Sequence, residues 1–138
     1  METPLPSRRE IEALVAFLPR LHAEGVVPIL RWHGGPSADG KPFVVPYPEY
    51  HPVVAEFFRA ASAECWCDHG YDPRRAGRML EDPDAVRRAS LAEVRSMLTY
   101  CVRGERFCDG HQGAMVEGGR IRRLLERIAE LAREAAGE

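Results

Sequence analysis

The chain has 138 residues, of which 45% are hydrophobic and 29% charged, and its formal charge is −2. That length fits one domain with a real core, and that charge excludes a generally basic protein that coats phosphates. No stretch approaches the roughly 20 apolar residues that cross a bilayer, so no membrane partner is expected.

Ser7 followed by Glu10 has the form of a capping box that opens a first helix. Ile11, Leu14, Val15, Leu18 and Leu21 recur at helical spacing, and Pro19 is expected to kink or end the helix before Gly25. VVPILRW and PFVVPYP are short apolar runs broken by proline, which predict a loop with a minor β-hairpin near residues 27–46. Between them HGGPSADGKP is turn chemistry, and PYPEY reads as a rigid turn or an aromatic wall carrying Tyr47 and Tyr50. A second helix opens at Pro52, with Val54, Phe57, Phe58, Ala61 and Cys65 on one face. DHGYDPRRAG breaks it, and MLEDPDAVRR is too short and polar to assign.

Ser90 with Glu93 repeats the capping-box pattern and starts a third helix whose stripe is Val94, Met97, Leu98 and Cys101. After Gly110 a short turn, AMVE, leads to Gly118 and Gly119. A last helix follows with Ile121, Leu124, Leu125, Ile128, Leu131 and Ala135. The expected fold is mainly α: one compact helical domain over residues 1–138, with the minor hairpin. METPLPSRREIEAL lacks the charged-then-apolar layout of a signal, so a cytoplasmic protein is expected, with its four cysteines as thiols or ligands.

CVRGERFCDGH, residues 101–111, concentrates the chemistry. Continued at about 100° per residue, the third helix turns Glu105 into its own apolar stripe and places Cys108 on the same side. A buried carboxylate needs a partner or a proton. One reading pairs Glu105 with an arginine from another helix; the other gathers it with Cys108, Asp109 and His111 at a pocket mouth. Cys108 and His111 have C-x-x-H spacing, and CWCDH adds Cys65, Cys67, Asp68 and His69, so zinc on Cys108 and His111 is a lesser alternative to no metal. Cys108 as a nucleophile with His111 as base ranks lower still. Trp66, Asp68 and Tyr71 either plug a core end or stack a planar ligand. Lys41 is the only lysine, so almost all positive charge is arginine, suited to carboxylates and phosphates. Ala114, Gly118 and Leu124 match helix-turn-helix spacings, but Glu117, Gly119 and Arg127 fall where that motif wants apolar groups. Nucleic acid is therefore the minor reading.

PYPEY, the phenylalanine-bearing helix, the W-x-D-x-x-Y pattern of Trp66, Asp68 and Tyr71, and RGERFCDGH followed by an apolar helix resemble a family of small bacterial proteins of unknown function. The resemblance covers most of residues 45–131. It implies no activity, cofactor or substrate. It implies that Trp66, Asp68, Tyr71, Arg103, Glu105, Arg106, Phe107, Asp109, Gly110 and His111 are shared motif positions, and Gln112 stands where the family has an aromatic.

The leading expectation is a small binding or accessory domain for a small molecule or a protein. Its ligand-facing residues would be Trp66, Asp68, Tyr71, Arg103, Glu105, Arg106, Asp109 and His111, the arginines clamping an anion and the aromatics stacking a flat group. One alternative is a hydrolytic enzyme using Glu105 or Asp109 as base and His111 as proton carrier, with or without a metal. Another is a homo-oligomer paired through the C-terminal helix.

Overall fold

The structure is a computed structural model, and it describes residues 4–35 and 44–136. The chain begins on the capping box that its sequence predicts. Ser7 Oγ accepts from the Glu10 N–H and Glu10 accepts from the Ser7 N–H, starting α1 (Arg8–Val15). A second short helix, α2 (Phe17–Leu21), follows after a break at Ala16. The break lies one turn before Pro19 because a proline ring collides with the carbonyl four residues back, here that of Val15. Leu14, Phe17 and Leu21 bury against the rest of the fold.

The hairpin forms, but it runs further than residue 46. Strand β1 (Ile29–Gly35) pairs antiparallel with β2 (Val44–Tyr50), so PYPEY belongs to a strand rather than a turn. Prolines 46 and 48 are tolerated because a two-stranded sheet consists of edges, where a missing donor costs little. Residues 36–43, which hold most of the predicted HGGPSADGKP turn, lie outside the described residues. Ile29 stands opposite Tyr50 and Trp32 opposite Pro48, with a register shift at Leu30. The shift lets Ile29 and Trp32, three apart, reach the same inward side. On the other side His33 stacks on Tyr47 at 5.3 Å and contacts Glu49 at 2.7 Å.

Helix α3 (Pro52–Ala61) has proline in its first turn and His51 Nδ1 accepting from the Val53 N–H. Its face of Val54, Phe57, Phe58 and Ala61 is buried, but Cys65 is not part of it. The helix ends, and Glu64–Trp66 make a separate 3-10 turn that swings Trp66 into the core at 2% exposure. The second half of DHGYDPRRAG, read as a break, and the unassigned MLEDPDAVRR then form two helices, α4 (Pro73–Glu81) and α5 (Pro83–Arg88). Each starts on an Asp-Pro pair: Asp72 and Asp82 accept backbone N–H groups while Pro73 and Pro83 occupy the first turn. Their exposed faces explain the polarity.

Helices α6 (Leu91–Arg103) and α8 (Arg120–Ala136) form the centre, touching each other and most other helices. Val94, Met97, Leu98 and Cys101 of α6, with Ile121, Leu124, Leu125 and Ile128 of α8, are fully buried. Most of the apolar stripe of α8 is therefore used inside its own domain, while Leu131 is half-buried and Ala135 exposed. The AMVE segment, read as a turn, lies within a further helix, α7 (His111–Glu117). No helix among the described residues is long and apolar enough to cross a membrane. All told the domain is compact and mainly α with one small hairpin.

The Asp72 carboxylate serves the N–H groups of both Arg74 and Arg75. Asp72→Ala should lower the urea-unfolding free energy by about 1 kcal/mol without changing the slope, whereas an unchanged midpoint would show that α4 does not need its cap.

Candidate functional site

Helix α6 does not continue through the RGERFCDGH stretch as its stripe predicts. It stops at Arg103, and Gly104–Arg106 form a 3-10 turn. Glu105 still turns inward, yet its partner is not an arginine. Its Oε1 accepts from the Tyr50 hydroxyl and the Gln112 N–H, both at 2.8 Å, and its Oε2 accepts from the Gly110 N–H at 3.0 Å. Helix α7 has no capping side chain of its own at Gly110, so Glu105 supplies one from five residues upstream. Burial, and then donation to Glu105, push the Tyr50 hydroxyl far above its ordinary range, which keeps it a donor.

The glycines around this carboxylate are spaces filled by neighbours. A Cβ on Gly104 would lie 2.2 Å from His111 Nε2, so the ring rests directly on that backbone. Gly110 has a φ of 91° and carries Trp32 on its face, where a Cβ would meet the indole at 2.9 Å. Gly113 sits beneath Ile29 and Tyr50. His111 also stands edge-on to Tyr100 with centroids 5.3 Å apart, and its Nε2 is buried without a partner. Burial holds its pKa below the usual value of 6.5, while the Tyr100 backbone and the Glu105 charge pull the other way. The motif thus reads mainly as the joint that docks the hairpin onto α6 and α7.

The W-x-D-x-x-Y segment lies elsewhere. Trp66 is a core side chain and faces no opening. Asp68 is held by the Ser96 hydroxyl and the Gly70 N–H, and its own N–H donates to Thr99 Oγ1 at 3.0 Å. Tyr71 lies 5.5 Å beneath the Arg103 guanidinium. Arg103 also donates from Nη2 to Cys67 Sγ at 3.2 Å. Arg103 therefore joins the 103–111 segment to the 66–71 segment.

Beside it opens a cleft of about 140 Å³, lined by Ser62, Cys67, Thr99, Val102, Arg103 and Arg106. Neither arginine meets a carboxylate among the described residues. Of the eight expected site residues, Arg103 and Arg106 line this cleft, Asp68 and Tyr71 line a separate one with Arg75 and Ser96, and Glu105 and His111 belong to the joint. Asp109 is exposed, as are Phe107 and Cys108. Among the described residues no group of three or more His, Cys, Asp or Glu side chains is placed to hold a metal. Sequence reasoning missed Trp32, Ser96 and Thr99, which carry no local signal. Gly104 did carry one, since a glycine at a helix end marks a turn or a close approach.

Two measurements test the joint. Glu105→Gln replaces one carboxylate oxygen by a donor that faces an N–H, and it should cost about 1–3 kcal/mol in urea unfolding. Combined with Tyr50→Phe the loss should be less than additive, because both act on the Tyr50–Glu105 bond; strict additivity would dissolve the proposed coupling. The second measurement is pH dependence. His111 and His22 both have pKa values lowered by burial, so the unfolded chain binds protons first. Stability should be full above pH 6.5 and fall as the pH drops below it, and His111→Gln should flatten that fall, His22 supplying the remainder. An identical slope in the variant would contradict a neutral, half-buried His111.

Comparison with known proteins adds a family and no activity. No curated protein and no solved structure matches this chain. A family model described as a family of unknown function, DUF6508, matches residues 6–134. From its first capped helix through the joint to nearly the end of α8, the chain belongs to the DUF6508 family.

Proposed function

We propose that the chain is a small binding or accessory domain whose cleft at the end of α6 takes an anionic group. The observation that carries this reading is the pair of guanidinium groups, Arg103 and Arg106, opening on one cleft with no carboxylate partner among the described residues. Guanidinium forks suit carboxylate and phosphate oxygens. Enclosed small-molecule sites usually start at roughly 300 Å³, and this cleft is smaller. It suits one phosphate or carboxylate presented by a larger molecule rather than a whole metabolite.

The hydrolytic alternative has less support. Glu105 already accepts three hydrogen bonds, and His111 packs on Gly104 with its free nitrogen buried, so neither is set to exchange a proton with a substrate. The stacking role suggested for Trp66 is likewise unsupported, since that ring is inside the core.

Inorganic phosphate is the simplest probe. At constant ionic strength and ten times its dissociation constant, it should stabilise the protein by about 1.4 kcal/mol, a Tm rise of roughly 4 °C. Arg106→Ala changes an exposed side chain, so its own Tm should stay near that of the parent while the phosphate effect disappears. An equal rise in the variant would place the effect elsewhere and reject the cleft.

A further inference from the structure

The lining of the same cleft includes a nucleophile, Cys67, and the side chains around it form a connected chain. Cys67 Sγ receives the Arg103 Nη2 hydrogen at 3.2 Å and lies 3.8 Å from His69 Nδ1. His69 Nε2 in turn lies 2.7 Å from Glu64 Oε1. A histidine that donates from Nε2 to Glu64 has Nδ1 unprotonated and turned to the thiol. Nucleophile, base and a carboxylate that orients the base are therefore in sequence, with a fixed cation on the sulfur. All three groups come from one short segment, residues 64–69, and Arg103 ties that segment to the end of α6.

We infer that Cys67, with His69, Glu64 and Arg103, is a reactive thiol site that exchanges with small anionic disulfides. It rests on the reading of the cleft as an anion site for the choice of reagent, since Arg106 and Arg103 offer charge to a carboxylate-bearing disulfide. In the exchange His69 Nδ1 takes the thiol proton, and the Cys67 sulfur attacks one sulfur of the disulfide. The S–S bond of the reagent breaks as the Cys67 mixed disulfide forms. The departing thiolate recovers the proton from His69, so no external oxidant or reductant is consumed.

The other cysteines serve as controls within the molecule. Cys65, two residues away, faces Glu10, and burial followed by that carboxylate pushes its thiol up to about 11. Cys101 is fully buried, and burial pushes it higher still. Cys108 is exposed, and among the described residues its sulfur makes a hydrogen bond to the Asp109 carbonyl alone, at 3.9 Å. It shows what accessibility alone achieves without a cation or a base.

The test uses the full reduced chain, with labelling followed at each cysteine by peptide mass mapping. With neutral iodoacetamide, Cys67 should react about tenfold faster than Cys108 despite being less exposed. His69→Gln alters an exposed side chain and should slow Cys67 by about tenfold while leaving Cys108 unchanged. Arg103→Gln should slow it as well, with Arg103→Lys retaining most of the rate. If Arg103→Gln disturbs the fold, labelling of Cys101 will report it, and His69→Gln then decides. Cys67 reacting no faster than Cys108, or unaffected by His69→Gln, overturns the assignment. With glutathione disulfide as reagent, the mixed disulfide should form on Cys67, and inorganic phosphate should slow that capture without slowing iodoacetamide. Rapid capture that phosphate leaves undiminished supports the thiol site and overturns the anion reading alone.

Discussion

Glu105 holds three parts of the molecule together with two oxygens. One oxygen binds the hydroxyl of Tyr50 at the end of the hairpin and the second backbone N–H of α7; the other binds the N–H of Gly110 ahead of it. Gln112 closes the loop by donating its side-chain amide to the Val102 carbonyl of α6 at 3.1 Å. Without that carboxylate α7 would begin on unpaired donors and a tyrosine hydroxyl would be left without an acceptor. A two-stranded hairpin is marginal by itself, so its place in this fold depends on the joint.

The same constraint accounts for the glycines of the motif. Each lets another group approach the backbone: the His111 imidazole at Gly104, the Trp32 indole at Gly110, and Ile29 with Tyr50 at Gly113. A segment so dense in polar residues resembles an active centre in sequence because capping and docking draw on the same donors and acceptors as catalysis. Here the geometry separates the two. Glu105 and His111 are occupied with structure, while Arg103 and Arg106 face an opening on the other side of the helix end.

Arg103 links the two sides. It stacks on Tyr71, donates to Cys67 and forms one wall of the cleft. As the last residue of α6 it also sits where the helix dipole favours a cation, which helps hold the guanidinium in place. Functional chemistry at this end of the protein would therefore be built on a rigid helix terminus and a short turn rather than on a loose loop.

Local chemistry was legible in the sequence wherever partners lie within one turn of each other. The boxes at Ser7 and Ser90, the proline entry to α3 and the stripes of α6 and α8 depend only on spacing, and they form as the spacing dictates. Glu105 turns inward as its spacing suggests, although the helix that the spacing assumes ends at Arg103. Helices α4 and α5 were obscured by their exposed faces, although the Asp-Pro pairs that cap them stood in plain view. What spacing cannot specify is which distant group fills a given place. That Glu105 meets Tyr50 across 55 positions, that Trp66 turns into the core, and that Cys67 and Arg103 meet across 36 were decided by the packing of α6 against its neighbours. Long-range pairing depends on how whole helix faces close on one another, and no local pattern encodes that choice.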